Sequence, residues 1–359
     1  MSYDTAIIDG TDPADYPTAA NGPMSGNRHQ AMERTVSTAS GSPDTNYLLC
    51  VVCCAEPEVA QAASDRVARA LVGRCSVTSL SVAEGSHVHD GMHSIPVPIG
   101  TKLAKLGLIA GHVATDLICI CDPDVEVAAD GCIAVFDAAL AEHRLARAVV
   151  SFGFIQVRNA SGLLGQLISL DKWLSHRVLR PMLWRLGVGI TLPGQFLIIS
   201  TDILRSIDRQ VDSYLDDLYL GWLCRNMQAS VCREACIVGH ETARASWSGL
   251  IAQRLRWMKG FMQLTRQLAR ESGALPLLAV HFFAYHGFPV LLLFVACVLA
   301  SISSVLGISV VMSVAAALSI AARCTFPTAI TYVVVFPLVH LLAICLWWLP
   351  VGRAFLIRR

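Results

Sequence analysis

Apolar and polar positions divide the chain into three zones. Residues 1 to about 46 follow no period. They are rich in Thr, Ser, Ala, Pro, Asp and Gly, and only Thr5-Ala6-Ile7-Ile8, closed by Asp9-Gly10, has strand character. From Tyr47 the pattern changes. Tyr47–Cys54 is a continuous apolar run, as expected of a strand buried on both faces. Glu58–Leu71 sets Ala, Val and Leu on one helical face and Asp65, Arg66 and Arg69 on the other. Ser76–Val82 alternates as a second strand. Thr101–His112 predicts a helix after Pro98 and Gly100, and Leu117–Cys121 a further buried strand ending at Asp122. Gly194–Ser200 reads as another strand, with helices over Leu215–Met227 and Ser246–Leu264. Strands alternating with helices predict an α/β fold, a mixed sheet with helices on both faces. Ligands of such sheets lie at the carboxyl ends of strands, where Asp122 and Asp124 fall.

The third zone begins near Leu275 with three apolar stretches, about 276–300, 303–322 and 328–350, each near the ~20 residues that cross a bilayer. His281, His286 and Pro289 interrupt the first, which is therefore expected to be irregular or partly interfacial. Arg323 and the terminal Arg353, Arg358 and Arg359 compete as cytosolic anchors, so two or three crossings both fit. The expected division is an irregular segment over 1–46, a catalytic domain over 47–270 and a membrane domain of two to three helices over 275–359.

Composition agrees with that division. A mean hydropathy of +0.53 with 15% charged residues is too apolar for a wholly soluble enzyme. A net charge of +1 excludes a polybasic nucleic-acid binder. No apolar signal core opens the chain, so a multi-pass membrane protein with its catalytic part in the cytoplasm is expected. The 13 cysteines are odd in number and sit mostly inside apolar runs, which predicts reduced, buried thiols. Cys50-x-x-Cys53 lacks the second pair of a zinc site and reads as strand interior. His87, His89 and His93, alternating near Asp90, read as a solvated Gly/Ser-rich loop rather than a metal site.

Three polar signatures carry candidate chemistry. Asp122-Pro123-Asp124 offers two carboxylates after a buried strand, suited to Mg2+ or Mn2+ that also takes substrate phosphates. The same pattern occurs in ordinary turns. Asp216 and Asp217 are either first-turn acids of a helix or include a general base. Gln253-Arg254-Leu255-Arg256-Trp257 is either a basic stretch before a membrane with an interfacial Trp, or a pocket with Arg256 on a diphosphate, Trp257 as an apolar wall and Gln253 as a hydrogen-bonding group.

In this order and spacing the signatures resemble the GT-A glycosyltransferases of family 2. The ceramide glucosyltransferases of family 21 and related bacterial lipid-modifying enzymes are closer still. The resemblance covers about Tyr47 to Lys259. It rests on Lys102, on Gly111 with Ala114-Thr115-Asp116-Leu117-Ile118-Cys119-Ile120-Cys121-Asp122, on Thr191-Leu192-Pro193-Gly194, on Asp217, on the QxxRW pattern and on Ser175-His176. It implies a GT-A, Rossmann-like fold and transfer of a hexose, glucose first among candidates, from a UDP-sugar to a membrane lipid with inversion. Asp122 and Asp124 would hold the divalent metal and donor diphosphate, and Lys102 would lie near the nucleotide. Asp217 would be the base. Gln253, Arg256, Trp257, His176, Gly194 and Asp216 would line the donor and acceptor pocket. The family carries an earlier aspartate after the first buried strand; this chain reads Val52-Cys53-Cys54-Ala55-Glu56-Pro57, which leaves Glu56 as the nearest acid. A hopanoid or other lipid glycosyltransferase, a processive polysaccharide synthase and a membrane-bound pseudoenzyme are the alternatives. The absence of apolar helices before residue 47 favours single transfer over polymer synthesis.

Overall fold

The computed structural model describes residues 47–53, 56–81, 93–94, 101–110, 115–145, 147–158, 160–208, 211, 213–243 and 246–348. The strand-like Thr5–Ile8 and most of the His87–His93 loop lie outside them. The elements run β1 (Tyr47–Val52), α1 (Pro57–Ala70), β2 (Ser76–Ser81), β3 (His93–Ser94), α2 (Lys102–Ala110), β4 (Leu117–Cys121), β5 (Glu126–Val127), α3 (Ala129–His143) and β6 (Val149–Arg158). Then come α4 (Gly162–Trp173), a π-helical turn (Leu174–Leu179), α5 (Arg180–Arg185), β7 (Phe196–Ser200), α6 (Thr201–Arg205), α7 (Asp216–Asn226), β8 (Ser230–Thr242) and α8 (Trp247–Gln267). The apolar end holds α9 (Ala274–Phe282), a second π-helical turn (Phe283–Gly287), α10 (Phe288–Ile302), α11 (Ser304–Ala322) and α12 (Phe326–Trp348).

The described strands form one mixed sheet in the order β3-β2-β1-β4-β7-β6-β8-β5. β1 pairs in parallel with β2 and β4, whereas β7 runs antiparallel to β4 and β6. The predicted mixed sheet with helices on both faces is what the chain forms. All five residues of β4 are buried, and so are all five of β7. Period-2 alternation sends Leu117, Cys119 and Cys121 to one face, with α1 and α3, and Ile118 and Ile120 to the other, with α2 and α7. That double burial is why these strands read as unbroken apolar runs. Cys50 and Cys53 belong to opposite faces in the same way, and they are free thiols.

At the C-terminal end, Ala274–Ile302, Ser304–Ala322 and Phe326–Trp347 are each long and apolar enough to cross a membrane. The first carries its π-helical turn across His286, at the irregularity expected from the sequence. The third is not separate from the sheet domain. Its Tyr332, Phe336 and Val339 pack with Leu167 and Leu170 of α4 and Leu250 of α8 in one buried cluster.

Candidate functional site

Antiparallel pairing of β4 with β7 sets Cys121 opposite Phe196, and the ladder continues as Asp122 N donates to Gln195 O at 2.8 Å. The Asp122-Pro123-Asp124 turn therefore stands beside Gly194. Arg66 of α1 holds that turn from below, donating to Pro123 O at 2.8 Å and Val125 O at 3.1 Å. Lys102, in the first turn of α2, donates from Nζ to Asp122 Oδ1 and to Gly194 O, both at 2.6 Å, and lies 3.4 Å from Asp216 Oδ2.

Asp216 and Asp217 open α7, where the helix dipole favours acids. Ser213 ties this entry to α8 by accepting from Leu215 N at 3.1 Å and donating to Gly260 O at 3.0 Å. Leu192 N donates to Asp217 O at 3.3 Å. The Thr191–Gly194 segment and the acids are thus locked together. A Cβ on Gly194 would stand 3.3 Å from Asp217 Cβ and 3.5 Å from Asp216 Oδ2, so glycine permits the close approach. At Gly221, one turn into α7, a Cβ would stand 2.2 Å from Ile190 O, which sets how near the helix lies to that segment.

These groups share a cavity of about 510 Å3. Lys102, Asp122, Asp124, Gly194, Asp216 and Asp217 line one part of it. Gln253, Arg256 and Trp257 of α8 and His176 of the first π-helical turn line another. Glu56 does not reach it: that residue caps α1 and is exposed. Among the described residues next to β1, Cys53 lies within electrostatic reach of Lys102, Asp216 and Asp122, and burial pushes its thiol up to about 12.

The basic stretch of α8 separates into two roles. Arg254 is buried, bonded to Asp171 Oδ2 at 2.5 Å and stacked 4.4 Å from the Trp257 ring centroid, while Tyr332 donates to Asp171 Oδ1 at 2.8 Å. Arg256 is exposed at the cavity edge. Sequence reasoning did not single out Asp171, Lys172, Arg180, Gln195, Glu241 or Tyr332, all of which line the cavity. Lys172 pairs with Glu241, which also accepts from Gln195 Nε2 at 3.3 Å. The apolar helices add His281, bonded to Thr191 Oγ1 at 2.9 Å, and the His286–His340 pair, whose Nδ1 atoms are 3.0 Å apart. Histidines inside an apolar stretch were the one sequence signal of this wall.

Burial, with the neighbouring Asp216 charge, raises Asp217 to about 7; Arg180 acts against the shift. Burial also raises Asp216, opposed by Lys102. Lys102 is held above its ordinary value because Asp122 and Asp216 outweigh its own burial. His176 is pushed well below its usual range by burial and by Arg180, Lys172 and Arg177, so its ring is neutral near pH 7. Among the described residues no group of three or more His, Cys, Asp or Glu gathers as a metal centre.

No protein-family model and no curated protein sequence matches the chain. Solved structures do. A mannosyltransferase of Pyrobaculum calidifontis in complex with GDP-Man and Mn2+ is 14% identical over 87% of this chain and 95% of its own, with a TM-score of 0.48. Glucosyl-3-phosphoglycerate synthase of Mycobacterium tuberculosis, in complex with Mn2+, UDP and glucosyl-3-phosphoglycerate, is 14% identical over 66% of this chain and 83% of its own, at 0.40. TarS of S. aureus with UDP-GlcNAc is 9% identical over 56% of this chain and 60% of its own, at 0.36.

Proposed function

We propose that this chain is an inverting glycosyltransferase that moves a hexose from a nucleotide sugar to a membrane lipid, with UDP-glucose and a ceramide-like acceptor as the first candidates. The observation that carries the reading is the shared cavity. Its walls include the acids at the carboxyl end of β4 and also His281, His286, Tyr332 and His340 from helices apolar enough for a bilayer. A water-soluble donor and a lipid would meet there.

In the proposed reaction Asp217 is the general base. Its Oδ1 accepts from Leu218 N at 2.9 Å, which leaves Oδ2 for the proton. The acceptor oxygen bonds to the anomeric carbon as its proton passes to Asp217. The bond from that carbon to the donor phosphate oxygen breaks, and its electron pair leaves on the nucleoside diphosphate. A value near 7 suits a base working near neutrality. Lys102 and Asp216 orient the Asp122 side of the pocket, and Arg256 supplies a guanidinium for phosphate oxygens.

Asp122 and the exposed Asp124 fit a divalent ion of the Mg2+ or Mn2+ kind, which takes one or two carboxylates and completes its shell with phosphate and water. When bound, it would stabilise negative charge on the departing diphosphate. The chain is proposed to be multi-pass, with the catalytic part facing the cytoplasm.

Lipid mass spectrometry of cells making the wild type or Asp217→Ala tests the reading. A hexose-shifted lipid present only with the wild type supports it, and identical lipid profiles overturn it. A pseudoenzyme is the second reading, because Glu56 lies outside the cavity and Cys53, within electrostatic reach of Lys102, is a thiol rather than an acid. Calorimetric titration with UDP and Mn2+ separates the two: absence of binding at millimolar ligand favours the pseudoenzyme.

A further inference from the structure

Arg180 opens α5 from within the cavity wall and is 6% exposed. Its Nε is buried without a hydrogen-bond partner. Among the described residues no carboxylate stands within salt-bridge distance of it. The other buried or nearly buried cations of this wall are matched: Lys102 with Asp122 and Asp216, Lys172 with Glu241, and Arg254 with Asp171. A guanidinium held out of water without a directly paired carboxylate is costly. The chain avoids that cost at its other three sites, so the exception points to an anion supplied from outside.

Its neighbours say which side of the cavity that anion occupies. Lys102, Asp122 and Asp216 form one charged group, and Asp217 adjoins it. Arg180 lies within electrostatic reach of Asp217 and Lys172, and of His176, His281 and Tyr285, the last two from the first apolar segment. The two residues from the apolar segment set it toward the acceptor side.

We propose that Arg180 binds a phosphate of the acceptor lipid. The acceptor is then a phospholipid whose phosphate lies a few bonds from the hydroxyl that receives the sugar, because one headgroup must reach Arg180 and Asp217 together. The planar guanidinium donates to two phosphate oxygens at once, which an uncharged ceramide headgroup does not offer. This deepens the glycosyl-transfer reading of the same cavity and rests on it. It rests on the transfer to a membrane lipid and sets an anionic acceptor against the ceramide-like one that the sequence resemblance suggests.

Donor and lipid both carry phosphate, so the test must separate them. Full-length protein in detergent is assayed for binding of phosphatidylinositol, diacylglycerol and ceramide by native mass spectrometry without nucleotide, and then for transfer kinetics. The wild type should prefer phosphatidylinositol by about tenfold or more, Arg180→Ala should lose that preference, and Arg180→Lys should keep part of it. In kinetics Arg180→Ala should raise the lipid KM by roughly tenfold and leave the donor KM within about threefold. A wild type that prefers neutral lipids, or an Arg180→Ala variant with its lipid preference intact, overturns the proposal. So does a rise in donor KM alone, which would give Arg180 to the donor phosphates. If the wild type turns over no nucleotide sugar but Arg180→Ala still abolishes its phosphatidylinositol preference, the transferase reading falls and the phosphate site stands. Thermal unfolding accompanies both variants, and if Arg180→Ala does not fold, Arg180→Lys decides.

Discussion

At the scale of single residues the two adjacent acids behave differently. Asp216 faces the Lys102 ammonium at 3.4 Å, whereas burial and the charge of Asp216 raise Asp217 to about 7. Asp217→Asn keeps the shape and removes the basicity, so turnover should fall by roughly 10²- to 10⁴-fold while donor affinity barely changes. A base acts only when deprotonated. In the wild type kcat should therefore climb as pH rises through about 7 and level off above it; a flat profile between pH 5.5 and 8.5 would remove Asp217 from the role. Asp217 and Asp122 were legible in the sequence because acids after a buried strand or at a helix start sit where backbone geometry aims them. Arg180 was not legible. A basic residue in a helix reads alike whether it meets water or lies buried without a partner, and only packing decides between them.

At the scale of elements, the site depends on how closely a short extended segment approaches a helix start. Gly194→Ala adds a methyl 3.3 Å from Asp217 Cβ. Displacing the acids by a few tenths of an ångström should cost roughly ten- to a hundredfold in kcat with little loss of stability, read by steady-state kinetics beside a melting curve. Arg254→Met has the opposite profile. It leaves Asp171 without its cation in a largely buried place, which should destabilise the fold by about 3 kcal/mol, measured by denaturant unfolding in detergent. The sequence pattern revealed β1, β4 and β7 because both of their faces are covered. It did not reveal β6, where Ser151, Gly153 and Gln156 interrupt the apolar run although the strand is largely buried, or β8. β8 carries Arg233, Glu234, His240 and Glu241 and is mostly half-buried, so its apolar positions form neither an unbroken run nor a clean alternation. The role of Arg254 was hidden for a related reason: its partner Asp171 lies 83 positions away, and Tyr332, which donates to Asp171, lies 161 positions from that acid.

At the scale of the whole molecule, the sheet domain and the apolar helices are one structure with a common cavity. A chain ending after residue 270 loses Tyr332, Phe336 and Val339 and uncovers Leu167, Leu170 and Leu250. Such a truncation should aggregate on size-exclusion chromatography and bind no lipid, whereas a domain that stands alone would elute as a monomer. The composition divides the chain into a polar and a greasy part. Their union is not visible in it, since hydropathy averages over a segment and is blind to the three or four positions through which helices interlock.

The contact of Tyr332 with Asp171 has one more consequence. Asp171 lies on the helical run that continues through His176 to Arg180, and Tyr332 lies on the last apolar helix. A bilayer thicker or thinner than that helix prefers changes its tilt. The tilt would then be transmitted to the cavity wall. Reconstituted into vesicles of graded acyl-chain length, the protein should show a maximum in the proposed transfer rate at one thickness, and Tyr332→Phe should flatten that dependence.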